Sequence, residues 1–194
     1  MFTNLYLRLV ILIALMTSEQ TFTLNLINSL KTVGSKRTYS RGDFILKEGE
    51  VEKNLYYVES GAVRVFLLSE YEEQSIRFGF EGSIINSLSS YFKGSPSEFY
   101  VEAIRKTTLL VISKEKVQGI ANQDTESLIG YSHLLETVIS QQMEREVDLL
   151  TVSPTERLKR VLERSPDLFQ HVPLKYIASY LRMTPETLSR IRNS

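Results

Sequence analysis

Few side chains in this 194-residue sequence suit covalent or metal chemistry, and that narrows the choices early. There is no cysteine, so disulfides, thiol nucleophiles and cysteine-ligated iron–sulfur clusters are excluded together. The two histidines, His133 and His171, lie far apart in sequence, so no site built on several imidazoles is expected. The residues therefore predict a protein that is not an enzyme, with no metal and no cofactor. What remains is recognition chemistry, concentrated in VPLKYIASYLRMTPETLSRIRNS, residues 172–194. Glu186 and Arg190 are spaced to share one helix face, with Leu188 and Ile191 turned away from it. An arginine there can donate two hydrogen bonds to guanine, and a glutamate can accept one from cytosine. Thr184, Thr187 and Ser189 add polar contacts, and Arg192, flanking the face, suits a phosphate. The competing reading is a solvated helix face with no reader's role.

These side chains need a scaffold. In LKYIASYL, Leu174, Ile177, Ala178 and Leu181 form one apolar stripe, and Arg182-Met183 makes a tight connection. Thr184 then caps a second helix with Pro185 at its first position. Two helices joined by a short turn, with a polar outer face, describe a helix-turn-helix. Upstream, Ser153, Pro154 and Glu156 read as a capping box that opens a new helix and a new unit, 153–194. Before it, 123–152 has a helical period in which Leu128, Tyr131, Leu135 and Val138 step like a dimer seam. The alternative is a helix packed on its own sheet. Residues 36–112 carry short Val-, Ile-, Tyr- and Phe-rich runs punctuated by glycines, which predicts a sandwich or β-roll. In AVRVFLL, the alternation around Arg64 and Phe66 predicts a half-buried strand. A leading helix over 17–33 should stop at Gly34. Residues 1–16 form an apolar extension whose unbroken run, Leu9 to Leu15, is shorter than the ~20 residues of a membrane span.

Charge separates the two ends. Residues 153–194 carry eight Lys+Arg against four Asp+Glu, a net of +4, which leaves the rest of the chain at −4. A basic unit on an acidic body points to an anionic partner at one end only, which for a helix-turn-helix is double-stranded DNA; the plainer reading of the charge is a solvated basic face.

TPETLSRI at 184–191, preceded by YIASYL, resembles the recognition unit of the cyclic-AMP receptor/Fnr superfamily of bacterial transcription regulators. FILKEGEVEKNLYYVESGAVRVF is similar to that superfamily's cyclic-nucleotide-binding β-roll. The resemblance implies an α+β fold: an N-terminal β-roll (double-stranded β-helix) sensor-like domain over 17–122, a long dimerisation helix, and a C-terminal winged-helix/helix-turn-helix domain. It also implies a cytoplasmic homodimer on DNA, with RNA polymerase as a further partner. Arg182 stands where such a turn often has glycine; in a left-handed conformation an arginine there costs about 1 kcal/mol.

Ligand-responsive relatives hold a cyclic phosphate with a glutamate and an arginine after a glycine turn. Here Gly82 keeps the turn, but the glutamate position falls on Ser87 and the arginine position on Ser97. Losing the arginine removes the charge-assisted bidentate contact, so cyclic-nucleotide control is not expected. Lys93, Arg77 and Arg105 are the cations available to replace it, and the roll could instead take an apolar or anionic effector. Two other classes compete with the regulator. One is a small-molecule-binding signalling protein whose terminal helices make protein contacts. The other is a cupin-like enzyme, disfavoured because 36–112 holds no histidine.

Overall fold

The computed structural model describes residues 17–70 and 72–193, so the extension read at 1–16 lies outside the described residues. Helix α1 (Ser18–Val33) opens on a capping box in which Thr17 Oγ1 accepts from the Gln20 amide at 3.2 Å and Gln20 Oε1 accepts from the Thr17 amide at 3.0 Å. Phe22, Leu26 and Leu30 form its buried stripe. Gly34 ends it at φ −71°, so no left-handed residue is needed there. Glycine is required because a Cβ would overlap the Leu30 carbonyl.

Eight strands follow: β1 (Ser35–Tyr39), β2 (Phe44–Leu46), β3 (Asn54–Ser60), β4 (Ala62–Leu68), β5 (Glu73–Phe80), β6 (Ile84–Ile85), β7 (Tyr100–Ala103) and β8 (Thr107–Ser113). They form two antiparallel sheets, β1-β8-β3-β6 and β2-β7-β4-β5, the β-roll expected from the sequence. The inner faces meet through Val58, Val63, Val65, Ile85, Val101 and Leu109. Helix α2 (Leu88–Lys93) lies between β6 and β7. On the outer face of the first sheet, Leu55, Leu110 and Ile112 join the stripe of α1.

Strand β4 corrects one expectation. It is not half-buried: every residue from Ala62 to Phe66 is buried, Arg64 included. The outer face of the second sheet is covered by the C-terminal helices, which the alternation of β4 cannot reveal.

Helix α3 (Lys114–Ala121) leads into α4 (Thr125–Leu150), whose N-cap Asp124 accepts from the Ser127 amide at 2.7 Å. Helix α1 crosses α4 at Gly130, where a Cβ would overlap the Ser18 carbonyl, and Phe22 packs on Tyr131 with ring centroids 5.4 Å apart. The chain then turns into α5 (Pro154–Arg164), α6 (Leu168–His171), α7 (Leu174–Tyr180) and α8 (Pro185–Asn193). Helix α5 starts where expected, with Ser153 Oγ accepting from the Glu156 amide at 3.3 Å. At the turn before it, Asp148 is fully buried between Arg160, at 2.9 Å, and Arg164. Leu158, Val161, Ile177, Leu181 and Leu188 pack these helices together, and the same cluster continues into Ala62 and Ile104 of the roll. Among the described residues, no strand follows α8, and no helix is long and apolar enough to cross a membrane.

Candidate DNA interface and effector pocket

Helices α7 and α8 meet as a helix-turn-helix. Helix α7 closes in a double hydrogen-bonded turn, the Met183 amide donating to Ala178 at 3.0 Å and the Arg182 amide to Ser179 at 3.1 Å. This turn requires a left-handed residue after the cap, and Arg182 takes that role at φ 54°, the strained placement that the sequence raised. Thr184 caps α8, its hydroxyl accepting from the Thr187 amide at 3.2 Å and lying 3.2 Å from the Thr187 hydroxyl. Leu188 is fully buried. Pro185, Glu186, Ser189, Arg190 and Asn193 line one open face, with Glu186 and Arg190 exposed on it. Hydrogen bonding from its own backbone amide, then from the Thr184 side chain, holds the Glu186 carboxyl below its ordinary value, and Arg190 adds to this. Arg192 lies beside the face with its guanidinium 5.7 Å from the Phe169 ring centre. An acceptor and a bidentate donor are thus presented on one exposed surface.

The support beneath this face was not foreseen. Ser179, on α7, accepts from the Ser75 amide at 2.9 Å and donates to the Glu73 carbonyl at 2.8 Å, bonding the helix to the β5 edge. Arg64 projects from β4 between the rings of Phe66 and Tyr176, 3.9 and 4.0 Å from their centres, and donates to Glu102 and Glu73, each at 2.6 Å. Arg157 donates to the Leu181 carbonyl beside the turn and to the Thr151 carbonyl. The contacts that tie the helices to the sheet, Ser179 with Ser75 and Glu73 and Arg64 with Tyr176, join residues distant in sequence, so only unusual positions, such as an arginine inside AVRVFLL, carry a signal.

The cassette is closed. Ser87 and Ser97 are buried with their hydroxyls 2.8 Å apart, and Ser97 also bonds the Phe99 amide and carbonyl at 3.0 and 2.8 Å. Gly82 makes the turn into β6 at φ 88° and donates to Val58 at 3.0 Å. These hydroxyls are already engaged, so an entering phosphate would have to displace them without gaining a cation. Of the three replacement cations, Lys93 is exposed on α2 and Arg105 donates to the Gln170 and His171 carbonyls. Arg77 alone lines a cavity. Nearby, Glu52 is buried, accepting from the Asn54 amide at 2.9 Å and the Tyr56 hydroxyl at 3.1 Å, and burial raises its carboxyl above the ordinary value.

The four seam residues do not share one environment. Leu128 is exposed, whereas Tyr131, Leu135 and Val138 are half-buried and line a cavity against their own chain. The more exposed apolar side chains of α4 lie one step round, at Ile139, Met143, Val147 and Leu150. His133 is exposed on this helix, and His171 stacks on Phe80 with ring centroids 4.4 Å apart.

Residues 36–124 match the family model described as the cyclic nucleotide-binding domain. The nitrogen fixation regulation protein FixK of Rhizobium meliloti is 27% identical over 165 residues, covering 79% of this chain and 72% of the relative. Among solved structures, FixK2 from Bradyrhizobium japonicum is similar with a TM-score of 0.69 at 21% identity, covering 82% of this chain and 83% of that one. A CooA mutant from Carboxydothermus hydrogenoformans gives 0.64 at 20% identity, over 86% and 77%. The structural likenesses speak for the fold.

Proposed function

We propose that this chain is a member of the cyclic-AMP receptor/Fnr superfamily and acts as a homodimeric, sequence-specific DNA-binding transcription regulator without cyclic-nucleotide control. The observation that carries the reading is the exposed Glu186–Arg190 face on a capped helix whose opposite side is buried through Leu188. Glu186 and Arg190 address base edges, Ser189 and Thr187 assist, and Thr184 and Arg192 suit phosphates. Two such units, related by a two-fold axis along α4, would reach half-sites about one helical turn apart. The bonded Ser87–Ser97 pair supports independence from cyclic nucleotides. RNA polymerase is the further partner this reading implies.

The test is DNA selection from a random pool, followed by binding of Arg190→Ala to the selected site. The Arg190 side chain makes no hydrogen bond or ion pair with the described residues, so the variant keeps its fold. It should lose about 1–3 kcal/mol and relax preference at one base pair per half-site. A folded variant with unchanged affinity and base preference would overturn the assignment.

A further inference from the structure

Glu52 is 2% exposed and belongs to no part of the DNA face. It lies between β2 and β3, in a segment stitched to α2 and to the residues after it. Its amide donates to Ser90 Oγ at 2.9 Å, and that hydroxyl donates onward to the Ser95 carbonyl at 2.6 Å. Gly49 donates to the Ser97 carbonyl and Ser97 to the Glu50 carbonyl, each at 2.8 Å, and Val51 bridges Pro96. The bonded Ser87 and Ser97 hydroxyls tie the two ends of 87–97 together, so this stretch forms a flap seated on 49–54. Residues 92–96 of the flap are exposed, whereas β3, which follows Glu52, is paired on both edges, with β8 and β6. The flap is the side that can give.

Inside, Glu52 Oε1 accepts from the Asn54 amide at 2.9 Å and from the Tyr56 hydroxyl at 3.1 Å, while Oε2 is buried without a partner. The ionisable groups around it are Tyr56 on β3, Tyr91 on α2 and two lysines. Lys53 is exposed, and Lys114, at the start of α3, gives its ammonium to the Tyr91 and Phe92 carbonyls. No cation among the described residues pairs with the carboxyl. Ionised, Glu52 is a dry charge with one oxygen unsatisfied and no counterion. Burial raises its carboxyl above the ordinary value, and the Ser87 amide at the foot of the flap is among the groups that favour its charged form. Burial raises the Tyr56 and Tyr91 hydroxyls as well, with Tyr39 of β1 and Tyr131 of α4 acting on them in turn. Of these acids, the carboxyl alone titrates below the ordinary tyrosine range.

We propose that Glu52 is a proton-operated latch on the flap: protonated, it keeps 87–97 seated on the roll, and ionised, it makes that stretch open more often. Opening gives the carboxylate water and parts the Ser87 and Ser97 hydroxyls that are now bonded to each other. Access to the closed cassette is thereby set by pH. The latch holds below the ordinary carboxylate range and loosens as pH rises through the raised value, above which no further loss follows.

The experiment follows amide hydrogen exchange by NMR on the full chain, from about pH 5 to about pH 9, with each rate divided by that of an unfolded peptide. The reporters are the Tyr91 and Gly94 amides, bonded to the Ser87 and Ser90 carbonyls at 2.8 Å. Their protection should fall by about five- to tenfold across that range. Low urea should leave it unchanged, as local opening requires, whereas the Leu109 amide in the core of the roll should respond to urea. Glu52→Gln cannot ionise, so its protection should stay at the acid level throughout. Ser90→Ala keeps the acid but cuts the clasp to the Glu52 amide, so its protection should already be low in acid. Wild-type protection independent of pH, or the same fall in Glu52→Gln, would overturn the latch. So would reporter amides that share the urea dependence of Leu109, or Ser90→Ala with full protection in acid. None of these readouts involves DNA, so the latch and the regulator reading fail separately.

Discussion

Arg182 holds the only positive φ found among the described non-glycine residues. Its side chain is exposed and reaches Glu72 only at 4.0 Å, a contact that contributes little in solvent. Arg182→Gly should therefore stabilise the protein by roughly 0.5–1 kcal/mol in urea unfolding, set by relief of the left-handed backbone. A destabilised variant would mean that the side chain supports the turn in a way its exposure hides. Glu52 tests the opposite situation. Burial holds its carboxyl above the ordinary value, against hydrogen bonds from the Asn54 amide and Tyr56, and Oε2 is left unpaired. The folded state thus favours the protonated form. Stability from this group is complete below the ordinary carboxylate pKa and is lost as pH rises through that value toward the raised one. Glu52→Gln should remove that loss, giving about 1 kcal/mol at pH 7 and little change in acid. A variant less stable at pH 7 would show that the carboxylate's two hydrogen bonds outweigh its desolvation. Residues such as Glu186 and Arg190 could be identified from sequence because helix spacing alone puts them on one face. Ser179 could not, since its partners lie 104 and 106 residues away.

At the scale of elements, helix starts were readable because caps are local: Thr17, Ser153 and Thr184 each bond an amide three residues on. The direction a helix faces is different. The period of α4 marks an apolar stripe, but not whether its partner is the same chain or a second copy. The residues expected to form a seam from Leu128 to Val138 do not share one environment, with Tyr131 packed on Phe22 and Leu128 in solvent. Ile139 and Met143 are 58% and 61% exposed, which marks the face free to meet another copy. If the protein dimerises along α4, Met143→Glu should shift it toward monomer at micromolar concentration in analytical ultracentrifugation, with the fold retained. A dimer unaffected by that change would place the interface elsewhere, and a monomeric unmodified protein would remove it. The β-roll itself was readable from its short glycine-limited strands, whereas the burial of Arg64 was not, because its cover comes from α7.

For the whole molecule, the decisive fact is that the helix-turn-helix unit and the roll share a core. Ala62 and Ile104 belong to the same cluster as Leu158 and Leu188, and Ser179 completes the contact by bonding the β5 backbone. Ser179→Ala leaves an amide and a carbonyl without that partner, so it should cost about 1–2 kcal/mol in urea unfolding. Protease cleavage at the turn between α7 and α8 should become faster, because α7 leaves the sheet more often. Unchanged stability and cleavage would show that apolar packing alone holds the two parts together. Composition sets 153–194 apart as the basic end, but does not reveal that this end is fastened to the acidic body.

Asp148 gives this attachment a mechanical meaning. It sits at the bend between α4 and α5 with no exposed surface, gripped by Arg160 and Arg164 of the following helix. A swing that parted it from both arginines would strand a buried carboxylate, at a cost of about 3–5 kcal/mol. The bend therefore behaves as a weld and not as a joint. Torque applied along the long helix passes undiminished into α5, and any compliance must reside further on, at the strained turn of Arg182 or in the seating of Ser179 on the sheet.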